Sequence, residues 1–200
     1  DRQETLDAAR LIERLLLSES RRVELFQWTG NCRPGRGAVE LCVQAGLPNL
    51  NGGDPRYDGN HRVIYFLRPL ARQAPPYRQV YASACNENIY TELWTDNFGG
   101  FANVLETFKR TADPRWLPVN VYYHFYSGER LASLRALKRV YDWCLKQELC
   151  WLHASEYARS VDGFFAARVG RLDADHYWAA EYGGCRTWRF DDCSREVDLD

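Results

Sequence analysis

The stretch VNVYYHFYSGERLASLRALKRVYDWCLKQELCWLHASE, residues 119–156, decides how the chain reads. Residues 119–123 are β-branched and aromatic, and Pro118 before them is tolerated at a strand start. His124 falls where that strand ends, and Ser127-Gly128 form a candidate N-cap region. Leu131, Leu134, Leu137, Val140, Tyr141, Cys144 and Leu145 recur at helical spacing with charges between them. Residues 150–154 are a second short apolar run. The pattern predicts a βαβ unit, in which chemistry collects at the carboxyl ends of the strands. His124 stands at such an end. By position alone, a single histidine beside aromatics is more often a hydrogen-bonded structural residue than a catalytic one.

Working outward, residues 5–17 carry Leu6, Ala9, Ile12, Leu15 and Leu16 at helical spacing. Residues 23–28 (VELFQW) read as a buried strand running into Thr29-Gly30-Asn31-Cys32-Arg33-Pro34-Gly35. Residues 36–45 predict a helix with Gly46 as its C′ residue. Residues 47–50 predict a strand ending at Asn51-Gly52-Gly53-Asp54. Helices alternating with strands that end in polar, glycine-bearing loops predict an α/β fold with parallel strands. Residues 55–76 read as loop, with a weak apolar run at 63–67. Residues 79–84 predict a strand ending at Cys85-Asn86-Glu87-Asn88. Residues 101–110 predict a helix closed by Asp113-Pro114. After a short helix at 155–160, residues 163–172 and 176–190 read as antiparallel strands. The expected division is 1–160 and 161–200, the second part being a β-rich tail that closes the domain or opens a β-sandwich.

Composition narrows the function. The 26 basic and 27 acidic residues give a formal charge of −1, and no basic run interleaves with aromatics, which argues against nucleic acid. No apolar stretch reaches the roughly 18 residues of a membrane helix. No signal peptide is visible, and the lack of methionine reads as a processed or excised segment. The seven cysteines (32, 42, 85, 144, 150, 185 and 193) include no Cys-x-x-Cys pair. Cys185 and Cys193 flank a segment short enough to cross-link in an oxidising compartment; equally, all seven suit small buried positions. The 7 Trp and 12 Tyr serve either as sugar-stacking platforms or as core.

Four stretches in order carry a family resemblance: Trp28-Thr29-Gly30-Asn31-Cys32-Arg33-Pro34, Leu50-Asn51-Gly52-Gly53-Asp54, Asn86-Glu87-Asn88-Ile89-Tyr90-Thr91, and Tyr122-Tyr123-His124-Phe125-Tyr126-Ser127-Gly128. They resemble the polysaccharide deacetylases, the NodB-homology carbohydrate esterases. Within that family they look most like the deacetylase region of the bifunctional Pel exopolysaccharide hydrolase/deacetylases. The resemblance spans about residues 20–160. It implies the later portion of a deformed (β/α) barrel, here followed by a short antiparallel β tail. It also implies a periplasmic or cell-surface place in exopolysaccharide and biofilm biosynthesis. The family's metal site, an Asp from an early Asp-Asp-like motif and two His from His-x-x-x-His, has no counterpart. The four His (61, 124, 153 and 176) are never three to five apart, and Asp191-Asp192 lies in the tail. The resemblance therefore implies that the metal-binding part of the domain lies upstream. Without that part, the chain is expected to fold poorly or to associate, because half a barrel exposes sheet edges.

The implied reaction removes acetyl groups from N-acetylhexosamine units with a divalent metal, commonly zinc, in the intact domain. His124 is the candidate general acid, because imidazole titrates near neutral pH. Asp54 is the candidate partner that orients His124, or else shapes a turn with Pro55. Arg33 is a candidate to tether a catalytic carboxylate, or else a solvated loop residue. Asn86, Glu87 and Asn88 are candidates for sugar hydroxyls, or for turn formation. Trp28, Tyr90 and Trp94 are candidates for sugar stacking, or for core. Two further readings stand beside the deacetylase: a non-catalytic carbohydrate-binding module, and a glycoside hydrolase using carboxylates among Asp54, Glu87 and Glu156.

Overall fold

A computed structural model describes residues 2–82, 85–113 and 115–190. Residues 83–84 of the predicted strand, Pro114, Asp191-Asp192 and Cys193 lie outside them. Contacts divide the chain into two units, Asp1–Ala158 and Arg159–Asp200.

In the first unit, α1 (Ala8–Leu16) follows a π-helical turn at Gln3–Asp7. Its predicted apolar stripe is largely uncovered. Ala9 is buried, but Ile12, Leu15 and Leu16 are exposed. β1 (Phe26–Gln27) and β2 (Asn49–Leu50) pair in parallel across α2 (Arg36–Gln44), as the alternation of elements predicts. The helix ends where its sequence says. Gly46, at φ 67°, donates its N–H to Val43 O (3.0 Å), and Leu47 N–H reaches Cys42 O (2.9 Å).

The sequence places residues 55–76 in a loop, but the structure forms a strand there. β3 (Ala71–Ala74) runs antiparallel to β4 (Tyr77–Val80), giving the sheet order β1-β2-β4-β3. Ala-Arg-Gln-Ala has no β-branched or aromatic residue to announce a strand; the free edge of β4 recruits it. β4 is parallel to β2 through Leu50 and Val80.

β5 (Cys85–Asn86) and β6 (Val121–Tyr122) make a second, parallel pair. The connection between them contains short 3-10 turns and α3 (Val104–Arg110). α3 packs Val104, Leu105 and Phe108 against Leu137, Val140 and Cys144 of α4 (Leu131–Cys144), with Tyr90 and Phe101 completing this core. Leu131 and Leu145, at the ends of the predicted α4 stripe, are exposed. The N-cap position of α4 falls at Arg130, without a side-chain cap, and not at Ser127-Gly128; Ser127 belongs to a 3-10 turn at Phe125–Gly128.

The predicted strand at 150–154 does not form. Trp151 and Leu152 are exposed, and Ala154 begins α5 (Ala154–Ala166). A short apolar run becomes a strand only beside a free edge, and here helix capping wins. Glu156 accepts from the His153 N–H (2.9 Å), as the third residue of a helix does in a capping box. Glu156 is therefore a helix-capping side chain rather than a strand-end residue. The architecture is mixed α/β, and the strands among the described residues do not close a barrel. No described helix is long and apolar enough to cross a membrane.

In the second unit, β7 (Arg168–Arg171) and β8 (Tyr177–Ala180) pair antiparallel as predicted, but over fewer residues: α5 takes residues 163–166 of the first predicted strand, and the second stops at Ala180. Asp173 holds its turn by accepting from the N–H groups of Asp175 (3.0 Å) and His176 (2.9 Å). Ser160 Oγ donates to Gly184 O (3.0 Å), and Cys185 Sγ contacts Ser160 O (3.2 Å).

One buried ion cluster organises the long connection from β2 to β3. Asp58 accepts from Arg56 Nε (2.6 Å), His61 Nδ1 (2.9 Å) and the N–H groups of Asn60 (2.9 Å) and His61 (3.0 Å). Arg56 also donates to Ile89 O (2.8 Å) and lies over the Tyr90 ring. Burial pushes the Asp58 carboxyl up, but the hydrogen bonds from Arg56, His61 and Asn60 outweigh it and bring it down to about 2. The folded value lies below the ordinary 3.8, so the resulting stability is present above about pH 4 and lost as pH falls through about 2. Asp58→Asn is accordingly expected to lose about 2 kcal/mol in urea unfolding at pH 7. Its deficit against the parent chain should shrink towards zero as the pH of the titration is lowered to about 2.

Candidate functional site

Register builds the centre of the site. β5 and β6 are parallel, with Asn86 opposite Tyr122, so the chain leaving β5 meets the chain leaving β6. Glu87 and His124 are the residues brought together. Glu87 Oε1 accepts from the His124 backbone N–H (2.7 Å), His124 Nδ1 (3.0 Å) and Trp94 Nε1 (3.1 Å). Glu87 Oε2 accepts from Ser127 Oγ. Glu87 is only 2 % exposed, whereas the His124 side chain is 32 % exposed. His124 Nε2 has no hydrogen-bond partner among the described residues. Tyr126 stacks on the imidazole at 5.0 Å, and Trp94 and Tyr122 meet it edge-on at 4.9 and 5.5 Å. Burial, then the charge of Glu87 and the neighbouring Tyr122, push the Tyr126 phenol above its ordinary pKa.

Buried amides tie the other strand ends to this centre. Asn51 Nδ2 donates to Trp28 O (2.6 Å) and to the Tyr122 hydroxyl (3.3 Å). Gln79 Nε2 donates to Cys32 O and to Asn51 O, both at 2.7 Å. The loops after β1 and β2 and the last residue of β6 are thus joined through two side chains that are essentially inaccessible to solvent. Residues 51–54 all have positive φ, from 34° to 109°. A Cβ on Gly52 would lie 2.9 Å from Gln79 Nε2, and one on Gly53 2.8 Å from the Tyr81 ring.

Several residues named from the sequence take different places. Asp54 is not the partner of His124 Nδ1; Glu87 is. The reason is register: Asp54 follows β2, in the first sheet, while Glu87 follows the strand paired with β6. Asp54 reaches solvent, yet protein crowded around it withdraws enough water to push its carboxyl above the ordinary range, with Arg68 opposing. Arg33 is exposed and makes no ion pair with any carboxylate among the described residues. Its loop closes on itself, with Asn31 Oδ1 accepting from the Arg33 N–H (3.1 Å).

Trp28 and Tyr90 are core, not stacking platforms. Trp28 is 8 % exposed and donates Nε1 to Asn49 Oδ1 (2.9 Å). Tyr90 is 3 % exposed and packs edge-on against Phe101. Glu87 faces His124 instead of open solvent. Asn86 Oδ1 accepts from the Asn88 N–H (3.3 Å), the turn-forming alternative. Asn88 is half-buried, and its Oδ1 is buried without a partner. From the sequence, Ser127 reads only as a cap and Gln79 only as a strand residue. An apolar run followed by Glu, matched by one followed by His, was the available sign of the Glu87–His124 pair.

The residues present do not fit the metal centre that the resemblance implies. Among the described residues, no three His, Cys, Asp or Glu side chains are grouped to hold an ion. Three histidines are each committed to one carboxylate: His61 to Asp58, His124 to Glu87 and His176 to Asp173. Comparison with protein-family models, curated proteins and solved structures gives no match to this chain.

A buried carboxylate with four donors is costly to remove. Glu87→Ala is expected to lose about 3 kcal/mol or more in urea unfolding, because four donors lose their acceptor together. Ser127→Ala removes one donor and is expected to cost about 1–2 kcal/mol.

Proposed function

We propose that the chain forms the proton-donating side of a polysaccharide N-deacetylase site, on an arc of a deformed (β/α) barrel. The substrate would be the N-acetylhexosamine units of a periplasmic or cell-surface exopolysaccharide. The observation that carries the reading is the Glu87–His124 pair: Nδ1 is held on a buried carboxylate while Nε2 is left free on a partly exposed ring. Cleaving an acetamide expels an amine, a poor leaving group until it is protonated. The His124 imidazolium supplies that proton from Nε2. Glu87, fixed by four donors, keeps the ring oriented and balances its charge before transfer. The products are acetate and a free amino sugar. Activation of the attacking water falls to the upstream part of the domain that the resemblance implies.

A second reading, a carbohydrate-binding module, draws on the rings beside His124. Phe125 is 96 % exposed, and Tyr123 and Tyr126 are partly so. Glycoside hydrolysis finds less support, since Glu87 and Glu156 already serve as acceptors for neighbouring donors.

The test is acetate release from N-acetylated hexosamine oligomers by the chain joined to its upstream sequence. His124→Ala is expected to lower release about a hundredfold or more while oligomer binding persists. Equal release by variant and parent would make His124 structural. Binding by both with release by neither would favour the binding module, and shortened oligomers with their acetyl groups intact would favour glycoside hydrolysis.

A further inference from the structure

We propose that Trp94 is a positioning residue for His124, a role resting on the deacetylase reading only for its kinetic consequence. The indole N–H shares Glu87 Oε1 with both His124 donors, and the indole edge meets the imidazole at 4.9 Å and Tyr126 at 5.2 Å. One side chain therefore contacts the carboxylate, the histidine that the carboxylate holds, and the ring stacked on that histidine.

The backbone carrying Trp94 points the same way. Glu92, Leu93 and Trp94 have φ of 49°, 58° and 63°, three successive left-handed residues without a glycine. L-residues disfavour such a run, which persists only where surrounding contacts over-determine it. The contacts here lead back to Glu87. Thr91 Oγ1 donates to Glu87 O (3.1 Å), Trp94 N–H donates to Thr91 Oγ1 (3.3 Å), and Leu93 N–H donates to Asn88 O (3.0 Å). Of the three left-handed residues, Glu92 and Leu93 have exposed side chains. Only the Trp94 side chain reaches the site, so the strained turn serves to deliver an indole N–H to Glu87.

With Trp94 in place, Oε1 is filled by donors and Glu87 cannot turn away from Nδ1. Without it, the carboxylate gains freedom and the imidazole loses one wall. His124 then loses its fixed tautomer, with the proton on Nδ1 and Nε2 bare after transfer.

The test reads that tautomer directly. Ring ¹⁵N shifts of His124 are recorded in the chain as it stands and assigned with His124→Gln. Trp94→Phe removes the N–H and shrinks the ring. Incorporating 3-benzothienylalanine at position 94 keeps the bicyclic shape and removes only the N–H, which guards against a variant that fails to fold. Both changes should replace a single Nδ1–H signature with a tautomer mixture. In the chain joined to its upstream sequence, kcat should fall about tenfold with KM within about twofold. Glu92→Gly, which relieves the left-handed strain without touching the indole, should leave the tautomer and kcat unchanged. An unaltered tautomer and kcat with benzothienylalanine overturns the positioning role, even if His124→Ala is inactive. A shifted tautomer alongside a fully active His124→Ala sustains the positioning role and removes the general-acid role of His124 instead.

Discussion

The buried carboxylate of Glu87 is where fold and site are the same thing. Taking a carboxylate out of water is costly unless each oxygen is met by donors. Glu87 meets that demand with two donors from His124, one from Ser127 and one from Trp94. Those donors come from the turn after β6 and from the loop after the 3-10 turn at Glu87–Ile89. Satisfying one side chain thus fixes the course of two connections and the orientation of the imidazole between them.

A second layer of buried polarity works beneath it. Asn49, Asn51 and Gln79 are all nearly inaccessible, and each spends its amide on backbone carbonyls or neighbouring side chains at strand ends. Short strands of two to four residues offer few ladder bonds, so these amides supply connections that longer strands would make through backbone alone. The Asn51–Tyr122 hydrogen bond carries the linkage from the first sheet to the pair that bears His124.

Legibility in the sequence followed the type of signal. Helical spacing and a glycine stop located α2, the alternation of elements gave the parallel β1–β2 pair, and the turn at 173–175 gave the terminal hairpin. The polar clusters bearing His124 and Glu87 were also readable after apolar runs, although Glu87 follows a separate strand, β5, and not the predicted strand at 79–84, since β4 ends at Val80. What escaped depended on pairing. β3 has no strand-like composition and forms on a free edge, whereas residues 150–154 have that composition and form no strand. The orienting partner of His124 escaped for a related reason: Asp54 and Glu87 both follow strands, and only the β5–β6 register chooses between them. Burial was equally hidden, since Trp28 and Tyr90 carry the same letters whether they face sugar or core.

The crowding around Gly52 and Gly53 has a consequence for heredity. Neither position has room for a side chain beside Gln79 and Tyr81, and both lie in left-handed backbone. A descendant gene could not exchange either glycine by a single codon change and keep this rim. Trimming the aromatic at 81 or shortening the amide at 79 would relieve only the crowding and not the left-handed backbone, and the latter step would also break the ties to Cys32 and Asn51. Distant kin are therefore best sought by a paired signature, two adjacent glycines with a glutamine and an aromatic two residues apart downstream, rather than by overall likeness of the chain.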